Sequence, residues 1–498
     1  MVSRALNFTA SFALIYLQAS CGGLAIKPAE EPERKPNIIY VLADDLGYGE
    51  VGCYGQTKIR TPHIDGLARD GMLFTQHYSG SPVCAPSRCV LLTGMHTGHS
   101  VVRDNWEGGG WEEGAAEGQF PFPDNTNTIA RSLQDLGYRT GAFGKWGNGG
   151  PGSSGHPLNQ GFETFTGSLC QRQAHNYYPT HLWHDNDRLE LEGNEWFRSH
   201  QKISAALETD EEYYERYTGQ TYATDPPIDA ALTFIDENKD QPFFLYYASP
   251  VPHAALQVPL EDLEQYEGAF PETAYLGNKG YLPHPKPRAA YAAMVSRFDK
   301  NIGRMLARLE QYGLAEETIV LFSSDNGPTF NGGTDSTYFD STSGLRGLKC
   351  SVYEGGLRVP FLVRWPGHIE AGSNSEHISA FQDILPTLVE IAGGVAPVGI
   401  DGISLLPTLR DSGTQNEHEL LYWEYAGKQA IRRGPWKAVR SKLRKGNLAI
   451  ELYNLENDPN EGTDVAAKFP EIEQQMAALL KREHVPNSDF PLRGIDEE

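Results

Sequence analysis

Four short apolar runs in this chain each lead into a polar or charged group suited to chemistry, and that repetition constrains the fold. Ile38–Leu42 runs into Asp44 and Asp45, and Gly141–Phe143 into Lys145. Phe243–Tyr247 runs into Ser249-Pro250-Val251-Pro252-His253, and Ile319–Phe322 into Asp325-Asn326-Gly327. Short apolar runs bounded by turn residues suit strands buried on both faces, as in a parallel sheet. In open α/β sheets, ligand and catalytic groups gather just beyond the carboxyl ends of such strands. The four strands are therefore expected to converge on one site.

Pro62–Asp70, Thr128–Leu136, Pro227–Asn238 and Pro287–Tyr312 read as helices alternating with these strands. The expected fold class is α/β, a large mixed and mostly parallel sheet sandwiched by helices. Gly147–Gly161, rich in Gly and Ser, predicts a loop over the strand ends. Beyond Arg410 the pattern changes to short strands over Leu420–Tyr425, Gln429–Arg433, Trp436–Val439 and Glu451–Asn454, with a helix near Pro470–Arg482. That pattern predicts a small carboxy-terminal antiparallel sheet plus helix.

At 498 residues the chain exceeds one ordinary core. The expected division is a signal over 1–20, a tether over 21–34 that is Pro/Glu-rich from 24, a catalytic domain over 35–410 and a subdomain over 411–498. In the signal, Arg4 precedes the apolar stretch Phe8–Leu17, which is short of a membrane span. Leu17-Gln18-Ala19-Ser20-Cys21 resembles a bacterial lipoprotein signal, with Cys21 lipidated after cleavage. Gln18 departs from the usual aliphatic residue there, so simple secretion stays open. No later segment is long and apolar enough to span a bilayer, and membrane contact is expected through that lipid alone. The expected location is extracytoplasmic, as a periplasmic or outer-membrane lipoprotein of a bacterium.

Asp44, Asp45, Asp325 and Asn326 offer only hard oxygen ligands, a set suited to Ca²⁺ or Mg²⁺ rather than zinc. Adjacent aspartates repel each other unless a cation lies between them. Taken singly, Asp44-Asp45 is also a helix cap and Asp325-Asn326-Gly327 a turn. Of the six cysteines, Cys53, Cys89, Cys170 and Cys350 can pair in three ways, and isolated thiols are the expected state. No zinc-like spacing occurs. The formal charge of −23, without a basic stripe, argues against nucleic-acid binding.

Cys84-Ala85-Pro86-Ser87-Arg88 resembles the maturation signature of type I sulfatases, in which the cysteine is oxidised to formylglycine. Lys35-Pro36-Asn37-Ile38-Ile39-Tyr40-Val41-Leu42-Ala43-Asp44-Asp45-Leu46-Gly47 is similar to the amino-terminal signature of that family. Leu91-Leu92-Thr93-Gly94, Gly144-Lys145-Trp146, Gly347-Leu348-Lys349 and Glu354-Gly355-Gly356-Leu357-Arg358-Val359-Pro360 resemble further family blocks, in family order. The segment beyond Arg410 is similar to the family's carboxy-terminal subdomain.

The resemblance implies roles that each residue type can support. Asp44, Asp45, Asp325 and Asn326 would hold Ca²⁺, with Mg²⁺ the alternative, and the modified Cys84 would complete the metal site. The formylglycine hydrate would be the nucleophile, with Arg88 favouring its oxyanion. Lys145 and Lys349 would bind the sulfate ester's nonbridging and leaving oxygens. His253 would protonate the departing alcohol. The sulfated hydrate would then eliminate sulfate as the aldehyde re-forms.

Many members continue Gly-Lys-Trp-His, whereas position 147 is glycine here. His175, in Cys170-Gln171-Arg172-Gln173-Ala174-His175, is the candidate to fill the place of the absent histidine; a loop histidine contacting substrate or nothing stays open beside it. Arg172 and His99 are further candidates for substrate binding, and Arg103 for facing the site.

Three functions follow for weighing: sulfate ester hydrolysis, a phosphatase or phosphodiesterase of the alkaline-phosphatase-like superfamily, and a noncatalytic Ca²⁺-dependent glycan-binding lipoprotein. Asn326, where a second metal would call for histidine, and the intact Cys84–Arg88 motif favour the first. Trp106, Trp111, Tyr177, Tyr178, Trp183 and His184 offer surfaces for sugar rings, so a sulfated carbohydrate is the expected substrate. The expected protein partner is a formylglycine-generating maturation enzyme.

Overall fold

The computed structural model describes Met1 and residues 34–110, 112–203 and 209–496. The expected signal, the Cys21 lipid site, nearly all of the tether and Trp111 lie outside the described residues. Among the described residues, all the secondary structure belongs to one compact unit, Lys35–Glu498.

The four apolar runs are strands, and they are neighbours. Thr318–Ser324, Asn37–Ala43, Phe243–Ala248 and Arg139–Lys145 lie side by side, all parallel, at the centre of a ten-stranded sheet. Their registers align Ala43 with Ser324, Leu42 with Ala248 and Ala248 with Gly144, so their carboxyl ends open on one edge. Thr164–Ser168 extends the parallel set, and the remaining strands make the sheet mixed, as expected.

Both faces of the central strands are covered, which is why their runs are apolar without alternation. Ile39, Val41 and Ala43 point into a core built with the helices Pro62–Arg69, Asp225–Asn238 and Pro287–Gln311. Ile38, Tyr40 and Leu42 point to the opposite core, built with Cys84–Thr93, Ile129–Asp135 and Ile384–Ile391. Each such buried aliphatic side chain contributes about 1.5–3 kcal/mol. The helix expected to start at Pro227 begins at Asp225, because the prolines of its first turn cost no intrahelical hydrogen bond. The Gly147–Gly161 stretch is a loop that tightens into a single 3₁₀ turn over Pro157–Gln160.

A four-stranded antiparallel sheet, Leu421–Tyr425, Lys428–Arg433, Trp436–Arg440 and Glu451–Asn454, follows in sequence order. One of its faces packs Tyr422, Ile431, Ala438 and Leu452 on Met476 and Leu480 of the helix Pro470–Arg482. The other packs Trp423, Ala430 and Val439 on Tyr78, Val352 and Leu357. Here Lys437 is fully buried, with its Nζ 2.9 Å from Glu354 and 3.0 Å from Glu461. The five described cysteines are free thiols. Among the described residues no helix is long and apolar enough to cross a membrane.

Lys437→Ala would leave Glu354 and Glu461 buried with their shared cation removed. The expected cost is about 3–5 kcal/mol, because breaking a buried pair strands a charge. Urea unfolding should show a lower midpoint at unchanged slope; an unchanged midpoint would deny the network a stabilising role.

Candidate functional site

The strand Asn37–Ala43 ends in Asp44 and Asp45, both fully buried. Asp45 takes a left-handed backbone (φ +66°), which an aspartate tolerates better than most residues. Its N–H donates to Asp325 Oδ1 (3.1 Å), fastening two strand ends together. Gly144 has to be glycine: its φ is +107°, and a Cβ there would lie 2.1 Å from the Ala248 carbonyl oxygen. That close approach lets Lys145 emerge, buried, at the end of its strand.

Cys84 opens the helix Cys84–Thr93, with Pro86 in its first turn, as the sequence predicts. Its Sγ lies 3.2 Å from Asp44 Oδ1 and 3.8 Å from Asp45 Oδ1. Lys349 Nζ donates to Asp45 Oδ2 (2.8 Å) and lies 3.4 Å from Cys84 Sγ. Lys145 Nζ donates to Asp44 Oδ2 at 2.5 Å. Arg88 binds Asp325 through two nitrogens at 3.0 and 2.9 Å and donates to the Lys145 carbonyl at 2.6 Å. It therefore braces Asp325 and the Lys145 strand end; its hydrogen bonds go there and not to Cys84.

Burial raises the cost of ionising Asp44, but Lys145, His253 and Arg88 outweigh it and hold its carboxyl well below the usual range. Asp325 is pushed up by burial and then by Asp44, against the pull of Arg88. Burial and Asp44 push the Cys84 thiol up, so an unmodified thiol here is a poor nucleophile. Burial, and after it Lys349, lowers His253.

His253 Nε2 stands 3.5 Å from Asp45 Oδ2, while its Nδ1 meets the Ala254 carbonyl. Tyr177 OH lies 2.7 Å from the Pro250 carbonyl and 2.8 Å from that of His253, tying down this loop. Tyr177 and Tyr178 are thus core residues and not sugar-binding surface. His175 is at the site: its ring stacks on His253 at 3.4 Å between centroids, and its Nε2 is 3.0 Å from Lys145 Nζ. Gly147 has φ +93°, and a Cβ there would meet Gln171 Cγ at 3.2 Å, so the Gln171 side chain borders the space next to it.

Arg172 pairs with Glu107 at 2.8 Å on the rim. His99 is not brought to the cysteine. Its Nδ1 is 2.9 Å from Asp401, and its ring stacks on His96, which pairs with Glu483 at 3.2 Å. Arg103 likewise turns to Glu424 (2.9 Å) of the carboxy-terminal sheet. The basic or imidazole character of these two residues could not distinguish catalytic from interfacial use. His200, whose Nε2 is 2.7 Å from His175 Nδ1, had no signal in the sequence, because its segment carries neither periodicity nor a motif.

The donor set fits a hard divalent cation. Three buried carboxylates converge with Asn326, whose Nδ2 donates to Asp45 Oδ1 (2.7 Å). The buried Asn326 Oδ1 has no hydrogen-bond partner, an orphan acceptor that a cation would satisfy. Ligand atoms of Asp44, Asp45, Cys84 and His253 also lie within 4.8 Å of one another.

Comparison with known proteins agrees with this geometry. The family model described as Sulfatase matches residues 36–395, and that described as N-sulphoglucosamine sulphohydrolase, C-terminal, matches 348–485. Human Arylsulfatase A is 32% identical, covering 93% of this chain and 89% of its own. Mouse Steryl-sulfatase is 30% identical, covering 79% of this chain and 68% of its own. The crystal structure of Ps i-CgsB in complex with k-i-k-neocarrahexaose is 28% identical with a TM-score of 0.72, covering 91% of this chain and 94% of that one.

Calcium or magnesium should raise the melting temperature, since a ligand at a hundredfold excess over its Kd stabilises by about 2.7 kcal/mol. Asn326→Ala should weaken that response and Asn326→Asp retain it. Calorimetry that finds the same cation response in Asn326→Ala would remove Asn326 from the ligand set.

Proposed function

The chain belongs to the sulfatase family and hydrolyses sulfate esters, and we propose that the ester it cleaves is carried on a carbohydrate. The observation that carries this reading is a cavity of about 210 Å³ beside the cysteine helix. It is lined by Asn105, whose Oδ1 accepts the Ala85 N–H at 2.9 Å, and by Trp106, Arg444 and Arg493. Trp106 is 52% exposed, an aromatic face suited to a sugar ring. Arg444 and Arg493 are exposed and make neither a hydrogen bond nor an ion pair among the described residues; Asp104, Asp489 and the Arg103–Glu424 pair share the lining. Such a mixture suits hydroxyls and a further acidic group on a neighbouring sugar. The complex of Ps i-CgsB with k-i-k-neocarrahexaose supports the same substrate class.

The roles proposed for the chain's residues follow from where they stand. Asp44, Asp45, Asp325 and Asn326 would hold a divalent cation, Ca²⁺ or Mg²⁺ before Zn²⁺, which when bound draws charge from the sulfate oxygens. Formylglycine at position 84, made by a maturation enzyme, supplies an aldehyde hydrate as nucleophile. Lys145 and Lys349 flank Cys84 as cations for the sulfate oxygens. Arg88 pairs with Asp325, holding it in place, and adds positive potential behind residue 84. With Nδ1 donating to the Ala254 carbonyl, His253 would need a second proton on Nε2, as the imidazolium facing Asp45, to protonate the departing oxygen.

A panel of defined substrates tests the carbohydrate reading. Sulfated di- and oligosaccharides should be turned over with higher kcat/KM than steryl sulfate. Trp106→Ala should lower kcat/KM about tenfold for the oligosaccharides, the loss of a stacked ring, and leave a small aryl sulfate unchanged. Preference for the steryl ester would overturn the assignment.

The role of His253 has its own signature. A sugar alkoxide needs a proton as the S–O bond breaks, whereas a phenolate leaves without one. His253→Ala should cost about 10²–10⁴-fold on a carbohydrate sulfate and far less on an activated aryl sulfate. Equal losses on both would rule it out as the acid.

A further inference from the structure

We propose that His200 is a positioning residue that fixes the tautomer of His175 and, through it, aims the ammonium of Lys145. The observation is a continuous chain of contacts. Lys145 Nζ lies 3.0 Å from His175 Nε2, and His175 Nδ1 lies 2.7 Å from His200 Nε2. The two imidazole rings are stacked within 9° of parallel at 4.9 Å, and Tyr281 packs against His200 at 4.5 Å.

Donor and acceptor chemistry gives this chain one polarity. An ammonium has three donors and no acceptor, so His175 Nε2 must present its lone pair to Lys145. A neutral imidazole with a bare Nε2 carries its proton on Nδ1. That proton points at His200 Nε2, which must then be the acceptor, leaving the His200 proton on its own Nδ1. Hydrogen bonds therefore run from Lys145 to His175 to His200. In the opposite tautomer, His175 would set an N–H against the ammonium.

The consequence falls on Lys145. Two of its three hydrogens are committed, one to Asp44 Oδ2 at 2.5 Å and one to His175. The third has one tetrahedral direction left, and that direction is available to a sulfate oxygen. His175 thus serves as an acceptor that orients a sulfate-binding cation. Gly147, where many family members carry a histidine, has no side chain to take this place.

The proposal rests on Lys145 as a sulfate ligand, and its test separates the two ideas. In His200→Ala, kcat should fall about tenfold with KM nearly unchanged, the effect of a misdirected contact and not of a lost binding site. His200→Gln, whose side-chain amide can accept from His175 Nδ1, should recover most of the loss. A purely structural role predicts that Gln is as poor as Ala. Two-bond ¹H–¹⁵N NMR of the histidine-labelled wild-type protein, with His175 identified by its loss in His175→Gln, reads the tautomer without any turnover. A protonated Nδ1 and a bare Nε2 support the proposal; the reverse overturns it even if His200→Ala fails to fold. Full activity in Lys145→Ala would instead remove Lys145 as the sulfate ligand, and with it the catalytic consequence, while the NMR result still reports on His200.

Discussion

Asp325 is the shared point on which the site depends. One of its oxygens takes the backbone N–H of Asp45 and the other takes the guanidinium of Arg88. A single carboxylate thereby joins the ends of two neighbouring parallel strands to the helix that begins at Cys84. All of these groups are buried, so each is committed to its partner: a buried charge that loses its partner costs several kcal/mol. The same constraint explains the density of cations. Three aspartates at the strand ends are tolerable only because Lys145, Lys349 and Arg88 face them, and because the donor set suits a divalent metal.

Lys349 reaches this cluster from a loop that is clamped on two sides. Its own N–H donates to the Pro328 carbonyl, just after the Asp325-Asn326 pair, and the next N–H, of Cys350, donates to Pro82, just before the cysteine helix. Glu354 follows immediately and pairs with Lys437 of the carboxy-terminal sheet. That sheet therefore does more than cover apolar surface. It anchors the segment that brings a cation to residue 84, and it supplies Arg444 to the cavity beside the site.

Electrostatics act on two length scales here. The chain carries a formal charge of −23, which repels an anionic ester at a distance. Exposed charges are screened beyond about 8 Å at physiological salt, whereas buried ones are not. Capture of a sulfate must then rest on the buried cations within a few ångströms of residue 84. An acidic exterior and a basic pocket are compatible for that reason.

Much of this was legible in the sequence because it is local. A strand buried on both faces needs an uninterrupted apolar run, and a parallel sheet delivers whatever follows such a run to one edge. The apolar runs thus place Asp44, Asp45, Lys145, His253 and Asp325 together, and the motif singles out Cys84. The tertiary structure decided what local pattern cannot carry. Tyr177 belongs to the core, because its ring stacks on Tyr222 and its hydroxyl meets a loop more than seventy residues away. His99 and Arg103 turn to carboxylates of distant segments, since an exposed-looking basic residue pairs with whichever acid the fold brings near. His175 and His200 meet across a stretch with no periodic signal, and Lys145 joins them from another strand. Backbone pattern determines which strand ends share an edge; only the folded path of the loops determines which side chains close over it.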